Sequence, residues 1–208
     1  ATEYKQTVDW SALSTLTDLN AIANAALSNL DTSAQGLFTS FSQYDALNRP
    51  VMMVTPHNST TRPNVIQPSY NEANLLEKVD VWLRQSTAPT NLLNPTTADL
   101  HAVTNIDYNA KGQRTLIEYG NQAKTSYKYD TQTFRLTRML TIRPQSPFNE
   151  TENQSVQDLR YTYDPVGNII TKTDYQGEVT HYQYDSTNRL VALENPAYLQ
   201  VSYHYDPA

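Results

Sequence analysis

Residues 157–206 read QDLRYTYDPVGNIITKTDYQGEVTHYQYDSTNRLVALENPAYLQVSYHYD, and this stretch decides the fold. Within it, Tyr163-Asp164, Tyr184-Asp185 and Tyr205-Asp206 recur every 21 residues. Apolar and polar residues alternate before each pair, which is the period of a β-strand. Each cycle therefore holds two strands and two tight turns, and the sequence predicts a series of antiparallel hairpins.

The same aromatic-polar pair occurs earlier in the chain, at unequal intervals. The earlier copies are Tyr44-Asp45, Tyr70-Asn71, Tyr108-Asn109 and Tyr129-Asp130. A recurring unit with insertions is the simplest explanation. Three segments rich in Pro, Thr, Asn and Ser are predicted to be inserted surface loops, near residues 58–68, 85–105 and 143–156.

The residue types at the turns have a physical reason. Asp or Asn at the first turn position accepts hydrogen bonds from backbone N–H groups ahead of it. Three residues later the chain needs a left-handed conformation, which Gly or Asn adopts most readily. The residues at that position are Asn48, Asn74, Gly112, Thr133, Gly167 and Asn188. Thr133 is β-branched and would be strained there, so its turn is predicted to differ.

The first part of the chain, residues 1–36, has a different pattern. Between about Asp9 and Leu30 the apolar residues fall at steps of three and four, which predicts one helix or two short ones. We expect this segment to lie over a sheet edge or an open end of the array. A membrane or partner helix is the alternative, but its polar face lacks the Lys and Arg typical of such helices.

The tyrosines form pairs two residues apart, so both rings of a pair project from one sheet face. These pairs are Tyr127/Tyr129, Tyr161/Tyr163, Tyr182/Tyr184 and Tyr203/Tyr205. If successive units stack in register, the pairs predict ladders of rings across neighbouring strands. The functional alternative is a carbohydrate-binding platform of exposed tyrosines. Both interpretations remain open at this point.

Composition and motifs argue against most classes of chemistry. The 208 residues carry a net charge of −6, contain no Cys, and show no basic run, so neither a nucleic-acid partner nor a disulfide is expected. No stretch is long and apolar enough to span a membrane. The histidines, His57, His101, His181 and His204, lack the spacing of a metal site. We therefore predict no enzyme activity, and no catalytic, cofactor-binding or metal-binding residue.

Several motifs together resemble those of a known family. Residues 163–169 (YDPVGNI), 184–190 (YDSTNRL) and 44–50 (YDALNRP) are similar to the YD repeat of the Rhs/YD-repeat family. The region from Asn105 to Arg138 looks closest to the B component of bacterial insecticidal toxin complexes. The similarity covers residues 37–208. Departures from the family pattern are Asn71 and Asn109 in place of Asp, and Gln113, Phe134 and Asn168 where Arg is usual.

The resemblance implies a mainly β, curved, shell-like sheet of consecutive antiparallel hairpins with a short N-terminal helical segment. It further implies a structural role in a secreted or exported bacterial shell that encloses a toxin or effector. The expected partners are the remainder of a larger shell polypeptide, or toxin-complex components, and the enclosed cargo. The chain's ends predict that it is cut from a longer polypeptide. Unpaired strand edges predict either a cover formed by the helix and loops, or self-association.

Overall fold

The computed structural model describes residues 18–28, 30, 33, 36–143, 155–195 and 199–206. Within these residues there are one α-helix, one short 3₁₀ turn (Pro95–Thr97) and thirteen strands. The helix is α1 (Leu19–Ser28), and the strands are β1 (Thr39–Tyr44), β2 (Pro50–His57), β3 (Val65–Tyr70), β4 (Leu76–Trp82), β5 (Leu100–Tyr108), β6 (Arg114–Tyr119), β7 (Lys124–Tyr129), β8 (Leu136–Ile142), β9 (Ser155–Tyr163), β10 (Ile169–Thr173), β11 (Val179–Tyr184), β12 (Leu190–Asn195) and β13 (Leu199–Ser202).

The strand order in the sheet is the order of the sequence, from β1 to β13. Neighbouring strands pair antiparallel within β1–β4 and within β5–β13. The prediction of a mainly β chain of consecutive antiparallel hairpins with a short N-terminal helix is therefore confirmed. Two kinds of connection alternate. The tyrosine-aspartate turns take five or six residues, whereas the connections at the opposite strand ends differ widely in length, as residues 120–123 and residues 83–99 show.

The chain divides into two compact units, Ala1–His101 and Ala102–Ala208. In the first unit, the register places Val54 opposite Val65 and Val65 opposite Trp82, so these residues share one face of β2–β4. They form the buried core of this unit together with Met52. Burial of these apolar side chains away from water stabilises the unit.

The segment after β4 covers that core. Ala88, Leu93 and Ala98 pack against it. Gln67 donates through Nε2 to the Leu93 carbonyl at 3.0 Å, and Trp82 donates through Nε1 to Thr97 Oγ1 at 3.0 Å. The predicted insertion at 85–105 is shorter than expected, because β5 already begins at Leu100. Similarly, β3 begins at Val65, inside the predicted loop 58–68. The Thr90 carbonyl of the insertion at 85–105 also accepts a hydrogen bond from Gln43 Nε2 of β1 at 2.7 Å.

In the described part of the predicted helical range, the structure contains α1. Residues 9–17 of that range lie outside the described residues, as does most of the predicted loop 143–156. No residue of α1 is buried, and Leu19 is 81% exposed. Its role as a cover of a sheet edge stays a prediction.

In the second unit, β5–β13 form a sheet whose two faces differ. One face carries the tyrosine pairs. The other carries polar and charged side chains, including Lys128, Arg138 and Arg160, which lie opposite one another on β7, β8 and β9. Asp158 is the buried acid of this face, with a side-chain exposure of 7%, and it forms ion pairs with both arginines at 2.7 and 2.9 Å.

Candidate functional site: the tyrosine-aspartate turns

Each turn is organised around the side-chain oxygen of its first residue. Asp185 Oδ1 accepts the backbone N–H groups of Thr187 and Arg189, both at 2.9 Å. Asn71 accepts from Ala73 and Leu75 in the same way, at 3.0 Å each. Equivalent pairs of bonds occur at Asp45 and Asn109, and Asp164 accepts from the N–H groups of Gly167 and Asn168. Asn therefore replaces Asp without loss of these bonds, because the turn needs an acceptor oxygen rather than a charge.

The fourth turn residue is left-handed where Gly or Asn was predicted there. The φ angles are 58° at Asn48, 64° at Asn74, 76° at Gly112, 112° at Gly167 and 62° at Asn188. At Gly167 the chain also passes close to a neighbour, since a Cβ there would lie 3.0 Å from Arg135 Nη2. The positive φ and the close approach of Arg135 thus both favour glycine at this position.

The turn at Asp130 differs, as predicted, because it is one residue longer. Asp130 N–H donates to the Arg135 carbonyl at 2.8 Å, and the left-handed residue is Phe134, with a φ of 59°. Thr133 avoids that conformation and donates through its N–H to Asp130 Oδ1. The sequence interpretation that Phe134 stands in place of the usual Arg is therefore wrong. Arg135 takes that place.

The last residue of each of five turns reaches the next turn along the sheet. Arg49 Nη1 donates to Asn74 Oδ1 at 2.9 Å, Gln113 Nε2 to the Phe134 carbonyl at 2.8 Å, Arg135 Nη1 to the Asp164 carbonyl at 2.7 Å and Asn168 Nδ2 to Asn188 Oδ1 at 2.9 Å. The Arg189 guanidinium lies 4.7 Å from the centre of the Tyr205 ring. Gln113 and Asn168 therefore keep the turn-to-turn contact, although Arg is usual at their positions.

The tyrosine of five motifs fastens its repeat to the preceding one. Its hydroxyl donates to the backbone carbonyl of the first residue after the previous turn. These bonds are Tyr70 to Pro50 (2.9 Å), Tyr129 to Arg114 (2.8 Å), Tyr163 to Leu136 (2.7 Å), Tyr184 to Ile169 (3.0 Å) and Tyr205 to Leu190 (2.8 Å). Sequence reasoning missed this bond, although the constancy of Tyr over Phe in the motif is a signal for it.

A register shift marks each of the six described tyrosine-aspartate hairpins, directly beside the tyrosine. At Tyr129, for example, the partner strand places two residues, Leu136 and Thr137, against one. Such β-bulges increase local twist and are placed at defined positions in a fold. The bulge was not predicted, because alternation in sequence reveals the strands but not the extra residue.

The titratable groups of the motif have opposite pKa shifts. The pKa of Asp185 is well below its usual range because the Arg189 N–H and the Thr187 hydroxyl donate to the carboxylate. At Asp164 burial opposes this effect, but hydrogen bonds from Asn168 and Gly167 outweigh it and lower the pKa. Burial raises the pKa of the Tyr163 hydroxyl. Ionised carboxylates and neutral tyrosines are thus the forms that the fold favours.

The predicted ladders of rings across neighbouring strands are not formed. Each unit has two strands, so equivalent tyrosines recur on every second strand, β7, β9 and β11. Tyr161 lies opposite Lys172 of β10, and Lys172 lies opposite Thr180 of β11. The members of each pair still share a face.

His57, His101 and His181 are on three different strands, and His204 follows the end of β13. His101, predicted to lie in a loop, is in β5, where its Nδ1 lies 2.6 Å from Asp80 Oδ1. Across the described parts of the chain, no three His, Cys, Asp or Glu residues lie close enough together to hold a metal ion. No helix found in those parts has the length and apolarity to cross a membrane.

The chain is similar to a repeat-family model, to two toxin subunits and to a solved toxin-complex structure. Residues 163–198 match the family model RHS Repeat. Two toxin subunits of Yersinia entomophaga are similar: YenC1, 32% identical over 51% of this chain and 14% of its own length, and YenC2, 36% identical over 42% and 10%. The crystal structure of TcdB2-TccC3 matches with a TM-score of 0.59 and 26% identity, over 90% of this chain and 8% of that chain.

The predicted resemblance to the Rhs/YD-repeat family and to bacterial toxin complexes is confirmed by these matches. The chain spans about one seventh or less of the length of the relatives it matches. The similarity extends over nearly all of this chain in the solved structure, so the repeat architecture is shared beyond the residues that the family model covers.

Proposed function

We propose that this chain is a section of the wall of a bacterial toxin-complex shell, which shields an enclosed polypeptide without catalysis of its own. The observation that carries the proposal is the consecutive pairing of strands with a fastening bond between successive repeats. Similarity to toxin subunits and to TcdB2-TccC3 supports it. The expected partners are the rest of the shell and its cargo, and export from the bacterium follows from the toxin role.

The mechanism is steric exclusion. Neighbouring strands of a sheet lie about 4.8 Å apart, and their backbone groups are paired, so the sheet leaves no opening for a protease or a polypeptide. The weakest places of such a wall are its turns, where pairing ends. Here five of the turns are fastened to the next motif through side chains such as Arg135 and Asn168. The wall is therefore held at the points where it would otherwise fray.

A chimera tests this function. The aligned region of YenC1 would be replaced by this chain, and the sites of protease cleavage in the chimera would be mapped by mass spectrometry. We expect the cleavage pattern of native YenC1. A matched chimera with Asp164→Ala and Asp185→Ala, which removes the turn acceptors, should be cleaved within the array. Cleavage of the first chimera as extensive as that of YenC1 lacking the region would reject the shielding role.

The rival function, a carbohydrate-binding or cell-surface-binding tyrosine platform, has less support. The second tyrosine of four pairs uses its hydroxyl to bind backbone carbonyls, at Arg114, Leu136, Ile169 and Leu190. Those hydroxyls serve the packing of the repeats. A glycan array separates the two functions. Selective binding that is abolished by Tyr182→Ala and Tyr184→Ala would favour the platform.

A further inference from the structure

The segment after β4 forms a cavity with the sheet of the first unit. Its sheet side includes Gln67 and Ser69 of β3 and Lys78 and Asp80 of β4. The register pairs Gln67 with Asp80 and Ser69 with Lys78, so these four side chains project from the same face as the buried core. The volume of this β3–β4 cavity is about 520 Å³, within the roughly 300–1,000 Å³ typical of small-molecule sites.

One wall of the β3–β4 cavity is apolar and is held in place by the sheet. The wall contains Leu92, Leu93 and Pro95. The Leu93 N–H donates to Gln67 Oε1 at 2.6 Å, and Gln67 Nε2 donates to the Leu93 carbonyl at 3.0 Å. Leu92 is nevertheless 55% exposed, so a ligand that covers it removes apolar surface from water. The wall therefore favours a ligand with an apolar side chain.

The sheet side of the cavity presents one acid and one base that can still bind a ligand. Asp80 is 8% exposed, and its Oδ1 lies 2.6 Å from His101 Nδ1. Asp80 Oδ2 makes no hydrogen bond within the described parts of the chain. The Lys78 ammonium is exposed and has neither a hydrogen bond nor an ion pair there. The lining also contains Asp45 and Arg49, but these two are paired with each other at 2.6 Å.

These two charges suit a ligand that carries both signs. A nearly buried carboxylate with an open oxygen favours a ligand that donates hydrogen bonds to it, and the lysine attracts a carboxylate. Lys78 and Asp80 are two residues apart on one strand, which separates their Cα atoms by about 6.5–7 Å. An ammonium and a carboxylate on the same carbon atom can therefore each reach one side chain. A ligand with only one charge would satisfy one of these residues and be repelled by the other.

We propose that the β3–β4 cavity binds a free α-amino acid with a large aliphatic side chain, such as leucine. Asp80 Oδ2 accepts from the ammonium, Lys78 pairs with the carboxylate, and the side chain lies against Leu92 and Leu93. The exposed Ser69 hydroxyl lies between the two charged groups of the ligand and the strand edge, where it can accept or donate one further bond. This site goes beyond the shielding function and does not depend on it.

The test uses the whole chain and isothermal titration calorimetry with L-leucine. One matched probe is 4-methylpentanoate, which is leucine without its ammonium, and the other is 3-methylbutylamine, which is leucine without its carboxylate. We expect each to bind at least about tenfold more weakly than L-leucine, because each loses one charge-assisted contact. Glycine, which keeps both charges and lacks the apolar side chain, should also bind more weakly.

The first variant is Lys78→Met, which removes the ammonium and keeps an aliphatic stem. It should weaken L-leucine binding by about tenfold. The control is Lys128→Met, the same change at an exposed lysine of the second unit, and it should alter binding by less than about twofold. Asp80→Asn tests the acid and should also weaken binding. Circular dichroism spectra and melting temperatures establish that the variants fold, and Lys78→Met remains informative if Asp80→Asn lowers stability.

Three results would overturn the proposal. They are binding of 4-methylpentanoate as tight as that of L-leucine, equal effects of Lys78→Met and Lys128→Met, and no heat of binding with about 10 mM L-leucine, ten times the Kd of a 1 mM site. These failures would leave the shielding function intact, since a barrier needs no ligand. Failure of the YenC1 chimera with leucine binding intact would reject shielding alone.

Discussion

Replacement of Tyr163 by Phe removes one hydroxyl and keeps the ring. In the structure this hydroxyl donates to the Leu136 carbonyl at 2.7 Å and fastens β9 to the start of β8. The Arg135 guanidinium, 5.7 Å from the ring centre, would keep its contact with the phenyl ring. The loss is therefore one hydrogen bond, for which a net cost of about 0.5–1.5 kcal/mol is expected.

The assay is urea denaturation followed by far-ultraviolet circular dichroism. With an m value of about 2 kcal/mol/M, a loss of about 1 kcal/mol lowers the midpoint by about 0.5 M. The melting temperature should fall by about 2–4 °C for a chain of this size. If unfolding has two transitions, the one that moves should belong to the unit Ala102–Ala208, which contains both partners.

The matched control is Tyr161→Phe, on the same strand and the same face. Its hydroxyl makes no hydrogen bond to a described residue, so the same chemical change should cost less than about 0.5 kcal/mol. Equal losses in the two variants would show that ring hydration rather than the fastening bond sets the effect. A Tyr163→Phe variant with an unchanged urea midpoint would refute the reasoning directly.

Three further outcomes are expected. Lowering the pH below about 4 should lower the melting temperature. The pKa of Asp185 is lower in the folded chain than in the unfolded chain, so its contribution to stability is present above the unfolded pKa and is lost as the pH falls. Asp185→Asn should make the melting temperature depend less steeply on pH in this range. Raising the pH above about 10 should also destabilise the fold, because burial raises the pKa of Tyr163 in the folded chain and the same tyrosine ionises first in the unfolded chain. The tyrosinate absorbance of Tyr163 is the difference between the wild-type chain and Tyr163→Phe, and a rise in that difference before unfolding would contradict this. Gly167→Ala should cost at least about 1 kcal/mol, since φ is 112° and the new Cβ would meet Arg135, whereas Gly177→Ala, with open space around it, should cost less in the same denaturation assay.

The sequence predicts the strands and the turn chemistry because both depend on local residue types. Alternation before Tyr163 and Tyr184 indicates strands, and the acceptor at Asp185 with a left-handed Asn188 indicates the turn. The Asp130 turn shows that residue types alone do not fix the length of a turn. A count of three residues from Asp130 reaches Thr133, while the structure inserts one more residue and moves the left-handed position to Phe134.

The contacts between repeats could not be predicted in the same way. The Tyr hydroxyl bonds join residues 15 to 27 positions apart, and the acceptors are backbone carbonyls, which carry no residue signature. The core in the first unit depends on Leu93 and Ala98 folding back over Trp82, although their segment reads as a polar loop. The row of Lys128, Arg138 and Arg160 requires the register of three strands.

The alternation of short, constant turns with connections of variable length has a consequence for how such chains diversify. In the described part of the chain, the tyrosine hydroxyl bonds and the turn-to-turn contacts lie at the tyrosine end of the strands, whereas residues 120–122 at the opposite end are exposed. Additional residues there cost only loop entropy, which grows slowly with length. A foreign epitope spliced into the 120–123 connection should therefore be displayed by an otherwise unaltered array, which makes that end a natural place for recombination and for engineering.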